Sequence, residues 1–135
     1  MRRVLGICVL AVLSLRAASV QTYDTSAWDC ELLKANPLNL TMEDAIRRAT
    51  RKVMPEIPGD LKIKDLRVTV VVVVNKDGSV ECVHAKEGHP LLISQCIEAA
   101  KYWKFKPYVA KDHPIPFITN LTFHFTNHSV RVDRG

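Results

Sequence analysis

The chain has little of what catalytic and cofactor-binding sequences carry. Glycine is scarce, five in 135 residues, and no glycine-rich loop is present to cradle a phosphate. No serine sits in a nucleophile elbow, and no close carboxylate pair occupies a recognisable loop. Four cysteines occur, but none is spaced as C-x-x-C, so neither a dithiol redox motif nor a zinc motif is declared. Cys82 and His84 share a strand face, yet none of the other histidines (His89, His113, His124, His128) is fixed by spacing as a third ligand. Cys96 lies on an apolar helical stripe, which suits packing better than nucleophilic chemistry. The reading is therefore no enzyme, no cofactor, no metal and no small-molecule substrate.

A long apolar run is missing as well. Val4 to Leu15 is apolar but well short of the ~20 residues a spanning helix needs. With Arg2 and Arg3 before it and Ala17-Ala18-Ser19 after it, residues 1–20 read as a secretory signal peptide. An uncleaved anchor formed by residues 4–15 is the alternative. Cys8, after Leu5-Gly6-Ile7, lies too close to the N-terminus to leave an apolar region before a lipoprotein cleavage point. Cleavage would remove Arg2, Arg3 and Arg16 from nineteen bases and nothing from fourteen acids, leaving a net charge of +2. The remaining bases are interleaved with acids, so a nucleic-acid partner loses its support. An exported protein meets an oxidising compartment, where Cys30, Cys82 and Cys96 allow one disulfide and leave one thiol. The sequons at Asn39, Asn120 and Asn127 have no meaning outside a eukaryotic secretory pathway and are read as chance.

What remains is an organised set of elements. Residues 21–54 form an N-terminal extension with one helix. Thr41 is its N-cap, Glu43 and Asp44 suit its first turn, and Ala45, Ile46, Ala49 and Val53 make one stripe before Pro55 stops it. The domain proper spans 55–126. Arg67–Val74 is a strand whose last five residues are all valine, a pattern of burial on both faces. Either the extension or a second protomer must cover the face that the domain's helix does not. Lys76-Asp77-Gly78 turns a hairpin into a strand from Ser79 to about Lys86. Gly88, His89 and Pro90 open a helix with Leu92, Cys96, Ala99 and Trp103 on its apolar stripe. Trp103, Phe105 and Pro107 close it, and a strand from Ile115 to Phe125 alternates Phe117, Leu121, Phe123 and Phe125 with wet Asn120, Thr122 and His124. Residues 127–135 read as a polar tail.

Several patterns in this order resemble the C-terminal domain of TonB-type energy transducers: Ala49-x-x-x-Val53-x-Pro55-x-x-Pro58, Asp77-Gly78-x-Val80, Gly88-His89-Pro90-Leu91-Leu92, Ala99-x-x-x-Trp103-x-Phe105-x-Pro107 and Pro114-x-Pro116. The signature positions are Gly78, Gly88, Pro90, Trp103, Phe105 and Pro107. The resemblance implies an α+β fold, a three-stranded antiparallel sheet packed on helices in β-β-α-β order, with the last strand at a sheet edge. It implies a periplasmic protein-binding module of TonB-dependent transport that adds a peptide strand, such as the box segment of an outer-membrane receptor, to that edge. The contacts would come from Phe117, Ile118, Thr119, Asn120, Leu121, Thr122 and His124. A homodimeric or structural domain without energy transduction is the alternative. The chain departs from a transducer in its short extension and in having no histidine handle within Val4–Leu15.

Two disulfide pairings stay open. Cys82 falls out of phase with Val83 and Ala85, the pair expected beneath the helix, so an extension on the opposite face would bring Cys30 to Cys82. Cys82–Cys96 closes the shortest loop.

Overall fold

The computed structural model describes residues 30–34, 37–59, 61–127 and 129–134; the expected signal peptide, the start of the extension and His128 lie outside them. In chain order the elements are α1 (Glu31–Lys34), β1 (Leu38–Asn39), α2 (Met42–Arg48), β2 (Ala49–Arg51), β3 (Asp65–Val74), β4 (Val80–Glu87) and α3 (Pro90–Lys101). There follow β5 (Lys104–Phe105), β6 (Tyr108–Ala110), β7 (His113–Ile115), β8 (Phe117–Thr126) and β9 (Val130–Val132).

The valine strand is the spine of the sheet. β3 pairs antiparallel with β8 along its whole length, from Asp65 opposite Thr126 to Val74 opposite Phe117, and with β4 on its other side. These three long strands form the antiparallel sheet anticipated from the sequence. Two short strands enlarge it: β1 runs parallel to β8 at Leu38–Asn39, and β9 runs antiparallel to it at Val130–Val132. The stretch read as a polar tail is partly built into the sheet, because Val130 and Val132 pack against the core while Arg131 is exposed.

Strand geometry divides the valines between two faces. Val68, Val70, Val72 and Val74 are fully buried in the core with Leu92, Cys96 and Ala100 of α3. Burying each stabilises the fold by about 1.5–2 kcal/mol. On the other face Val73 is also fully buried, Thr69 is buried and Val71 is half-buried. Cys82 is the cross-strand neighbour of Val73, and it is bonded to Cys30, itself buried. The extension therefore reaches the second face, and the disulfide is Cys30–Cys82 rather than Cys82–Cys96. Cys96 stays a buried free thiol under α3, and burial pushes its pKa up to about 12.

The helix expected to run from Thr41 toward Val53 ends earlier. Thr41 Oγ1 does accept from the Asp44 amide at 3.2 Å, as the cap requires. After Arg48, however, Ala49–Arg51 leaves the helix to pair with β5, Ala49 opposite Phe105 and Arg51 opposite Lys104. Cross-strand pairing beside a buried aromatic outweighs seven residues of helical stripe. Pro55 and Pro58 then keep the preceding residues extended.

Two glycines fix how the aromatic closure meets the hairpin. Gly78 has φ +86°, and a Cβ there would lie 1.9 Å from the Phe105 carbonyl oxygen. That approach lets the Phe105 amide donate to the Gly78 carbonyl at 2.9 Å. Gly88, at φ +145°, leaves room for Val68 where a Cβ would come within 2.8 Å of its side chain. Trp103 is buried and donates from Nε1 to the Val53 carbonyl at 2.7 Å. Phe123 meets its edge at 6.2 Å, and Phe117 meets Phe105 edge-on at 5.6 Å, the geometry aromatic rings favour.

Candidate protein-binding edge

The final long strand, expected to be an edge, lies inside the sheet order β1-β8-β3-β4. Its outer side is shared by two short segments of the same chain. The Leu38 amide donates to the Pro116 carbonyl at 3.3 Å, and the Leu40 amide donates to the Ile118 carbonyl at 2.9 Å. Farther along, the Asp133 amide donates to the Thr122 carbonyl at 2.9 Å, and the Thr126 amide to the Ser129 carbonyl at 2.9 Å. All these outward groups belong to even-numbered residues of 116–126. By the two-residue period of a strand, Asn120 is the next outward position, and among the described residues no strand stands opposite it on that side. The reason for the difference from the expected free edge is local. Each covering segment is too short to carry a strand signal of its own.

The seven anticipated contact residues therefore divide. Phe117 and Leu121 are fully buried core residues, and Thr119 is 3 % exposed. Asn120 is exposed, while Ile118 and Thr122 are half-buried. Thr122 Oγ1 shares a 2.9 Å hydrogen bond with Thr69 Oγ1 of the neighbouring strand, a cross-strand pair that ties the two strands on their second face.

His124 departs most from the wet position expected of it. It is 6 % exposed and held from two sides. Arg131 of β9 donates to Nδ1 from Nε at 3.2 Å and from Nη2 at 2.9 Å. A guanidinium only donates, so Nδ1 accepts and the ring proton sits on Nε2, which donates to Asp65. Arg67 pairs with Asp133 at 3.2 Å beside it. This cluster of Asp65, Arg67, His124, Arg131 and Asp133 clamps β9 to the sheet. Reading the sequence alone misses it, since its five members are scattered over some seventy residues and meet only through the register of β3, β8 and β9.

Other candidates raised by the sequence lose their chemistry here. Cys82 is bonded to Cys30, which removes it as a thiolate ligand beside His84. His89 acts as the N-cap of α3, its Nδ1 accepting from the Leu91 amide at 3.3 Å. Burial lowers the pKa of His84. Arg48 lies 4.6 Å over the Tyr108 ring and ties the end of α2 to the β6–β7 hairpin.

Residues 64–126 match the protein family described as "Gram-negative bacterial TonB protein C-terminal". Among solved structures, the solution NMR structure of the Pseudomonas aeruginosa TonB C-terminal domain is similar in fold. It has 20% sequence identity and a TM-score of 0.50, and the match covers 62% of this chain and 89% of that one. No curated protein sequence matches the chain.

Proposed function

Residues 64–126 form a TonB C-terminal domain, and from that premise we propose that this chain captures an extended peptide segment by adding it as a strand to the outer side of β8. The family is a non-enzymatic protein-interaction module of TonB-dependent transport, periplasmic in Gram-negative bacteria. The proposed guest is a segment of an outer-membrane receptor of that transport system.

The observation that supports this reading is the behaviour of the β8 outer side toward the chain's own segments. It takes a parallel strand at Phe117–Ile118 and an antiparallel strand at Phe123–Phe125. Main-chain groups give such pairing its affinity and demand little of the sequence that pairs. Asn120, between the two, is the outward position where a guest would first find backbone groups with none of the described strands opposite them.

Asn120→Pro tests the reading. It removes an outward amide and leaves the ladder to β3 in place, because even-numbered residues face away from β3. The wild-type chain should retain a receptor from solubilised outer membranes, and Asn120→Pro should lose at least nine-tenths of it. Equal retention by the two proteins would overturn strand addition at this edge. Self-association by light scattering, with no receptor retained, would favour a homodimeric structural role instead.

A further inference from the structure

A cavity of about 430 Å³ lies outside both the guest edge on β8 and the clamp around His124. Three places in the sequence wall it. α2 gives Glu43, Ile46 and Arg47, the stretch through β2 gives Ala49 and Lys52, and the segment after β9 gives Arg134. Local structure explains the convergence. The helix capped by Thr41 breaks after Arg48, because Ala49–Arg51 pairs with β5. That break sets Ala49 and Lys52 on the same cavity as the helix they have just left. The pairing of β9 with β8 then brings Arg134 to it.

The lining divides its chemistry. Ile46 and Ala49 are half-buried and pack against the core, so the floor is apolar and held in place. Arg47 is engaged, since its Nη2 donates to Asp44 Oδ1 at 2.5 Å and lies 3.8 Å from Glu43 Oε1. Lys52 and Arg134 are exposed, and neither has an ion pair or a side-chain hydrogen bond among the described residues. Two cations with donors to spare thus border an apolar floor, and one carboxylate, Glu43, shares the wall.

These features select a ligand. The two cations call for an oxyanion, and the planar fork of Arg134 matches a carboxylate through two parallel bonds. Glu43 opposes the second negative charge of a phosphate, yet it accepts readily from an N–H beside a carboxylate. The floor suits an aliphatic side chain. A carboxylate, an adjacent N–H and an apolar side chain occur together in the last residue of a polypeptide.

We propose that this cavity captures the C-terminal residue of a partner polypeptide. Lys52 and Arg134 bond its carboxylate, Glu43 accepts from its amide, and its aliphatic side chain rests on Ile46 and Ala49. Holding a terminal carboxylate with fixed donors is a recurrent mode of peptide recognition. The site uses no residue of β8, so it stands whether or not a strand is added at Asn120.

Fluorescence anisotropy with three labelled hexapeptides tests the site on the wild-type protein. One is a glycine–serine sequence ending in leucine with a free carboxylate, the second is its C-terminal amide, and the third ends in glycine with a free carboxylate. The leucine acid should bind roughly tenfold more tightly than the amide and roughly threefold more tightly than the glycine acid. Lys52→Gln and Arg134→Gln should each weaken it roughly fivefold. Lys86→Gln, on β4, should leave it unchanged. All three side chains are exposed, so the variants keep the fold. In an NMR titration the Ile46 and Ala49 amide signals should move with the leucine acid and stay still with the amide. Equal affinity for acid and amide, no binding at millimolar peptide, or full affinity in both cation variants would overturn the proposal. If the two acids bind alike and inorganic phosphate displaces them equally well, the cavity is a general anion patch and the assignment to a C-terminal residue falls.

Discussion

At the scale of single residues, the positions that carry the fold are those where a small or polar atom meets a fixed backbone group. Gly78 is one, because the Phe105 carbonyl occupies the space a side chain would take. Trp103 is another, because its indole satisfies the Val53 carbonyl 50 residues away. His84 contributes to the acid side of the stability profile. Burial disfavours its charged form, so the unfolded chain binds a proton more readily than the folded one as pH falls through the ordinary imidazole range near 6.5. That contribution is present in full above this range and is lost as pH falls toward the depressed folded value. Urea midpoints at pH 7.5 and 5.5 should show a smaller acid-side loss for His84→Gln than for the wild type. The difference is bounded by about 1.4 kcal/mol per pH unit for one group. Parallel pH dependence in the two proteins would refute the assignment.

At the scale of elements, long periodic segments were legible and short ones were not. β3, β4, α3 and β8 follow from valine content, alternation, a hairpin turn and a proline-started stripe, and each lies within a few residues of its expected bounds. β1, β2, β5 and β9 have two or three residues each, so no period can develop in them, and tertiary pairing alone creates them. The shortened α2 has the same cause, since Ala49 answers to Phe105 and not to its own helix. β9 is the element whose worth is easiest to measure. It brings half-buried Val130 and Val132, the Arg131 donors to His124, and the Asp133 contacts to Arg67 and Thr122. A chain ending at Asn127 should lose about 2–4 kcal/mol of unfolding free energy by urea titration, from exposed apolar area and a buried imidazole deprived of a partner. A loss below about 1 kcal/mol would mean that the clamp contributes little.

At the scale of the whole molecule, the sequence disclosed the need for a covering layer before it disclosed the layer. Five consecutive valines demanded apolar surroundings on two faces, and the phase of Cys82 against Val83 pointed to the face that Cys30 reaches. It did not disclose that the candidate binding edge would be shared with the chain's own flanking segments, because that depends on where they travel after packing. The disulfide binds this arrangement over a sequence separation of 52 residues. A Cys30→Ser/Cys82→Ser double variant should lose about 3 kcal/mol in oxidising buffer, mainly through a less restricted unfolded chain. Thermal unfolding compared with the wild type checks this, and an unchanged midpoint would show the bond to be thermodynamically idle.

The pairing of β3 with β8 has a consequence in time. Val74 meets Phe117, and Asp65 meets Thr126, so the most apolar strand has its longest neighbour some 43 to 61 positions downstream. While the chain is being made, the valine run has only the β4 hairpin to pair with until the last strand emerges. Such late, non-local closure makes folding slow and leaves an adhesive strand exposed meanwhile. The molecule's period of greatest vulnerability to aggregation is therefore the interval between synthesis of Val74 and synthesis of Phe125.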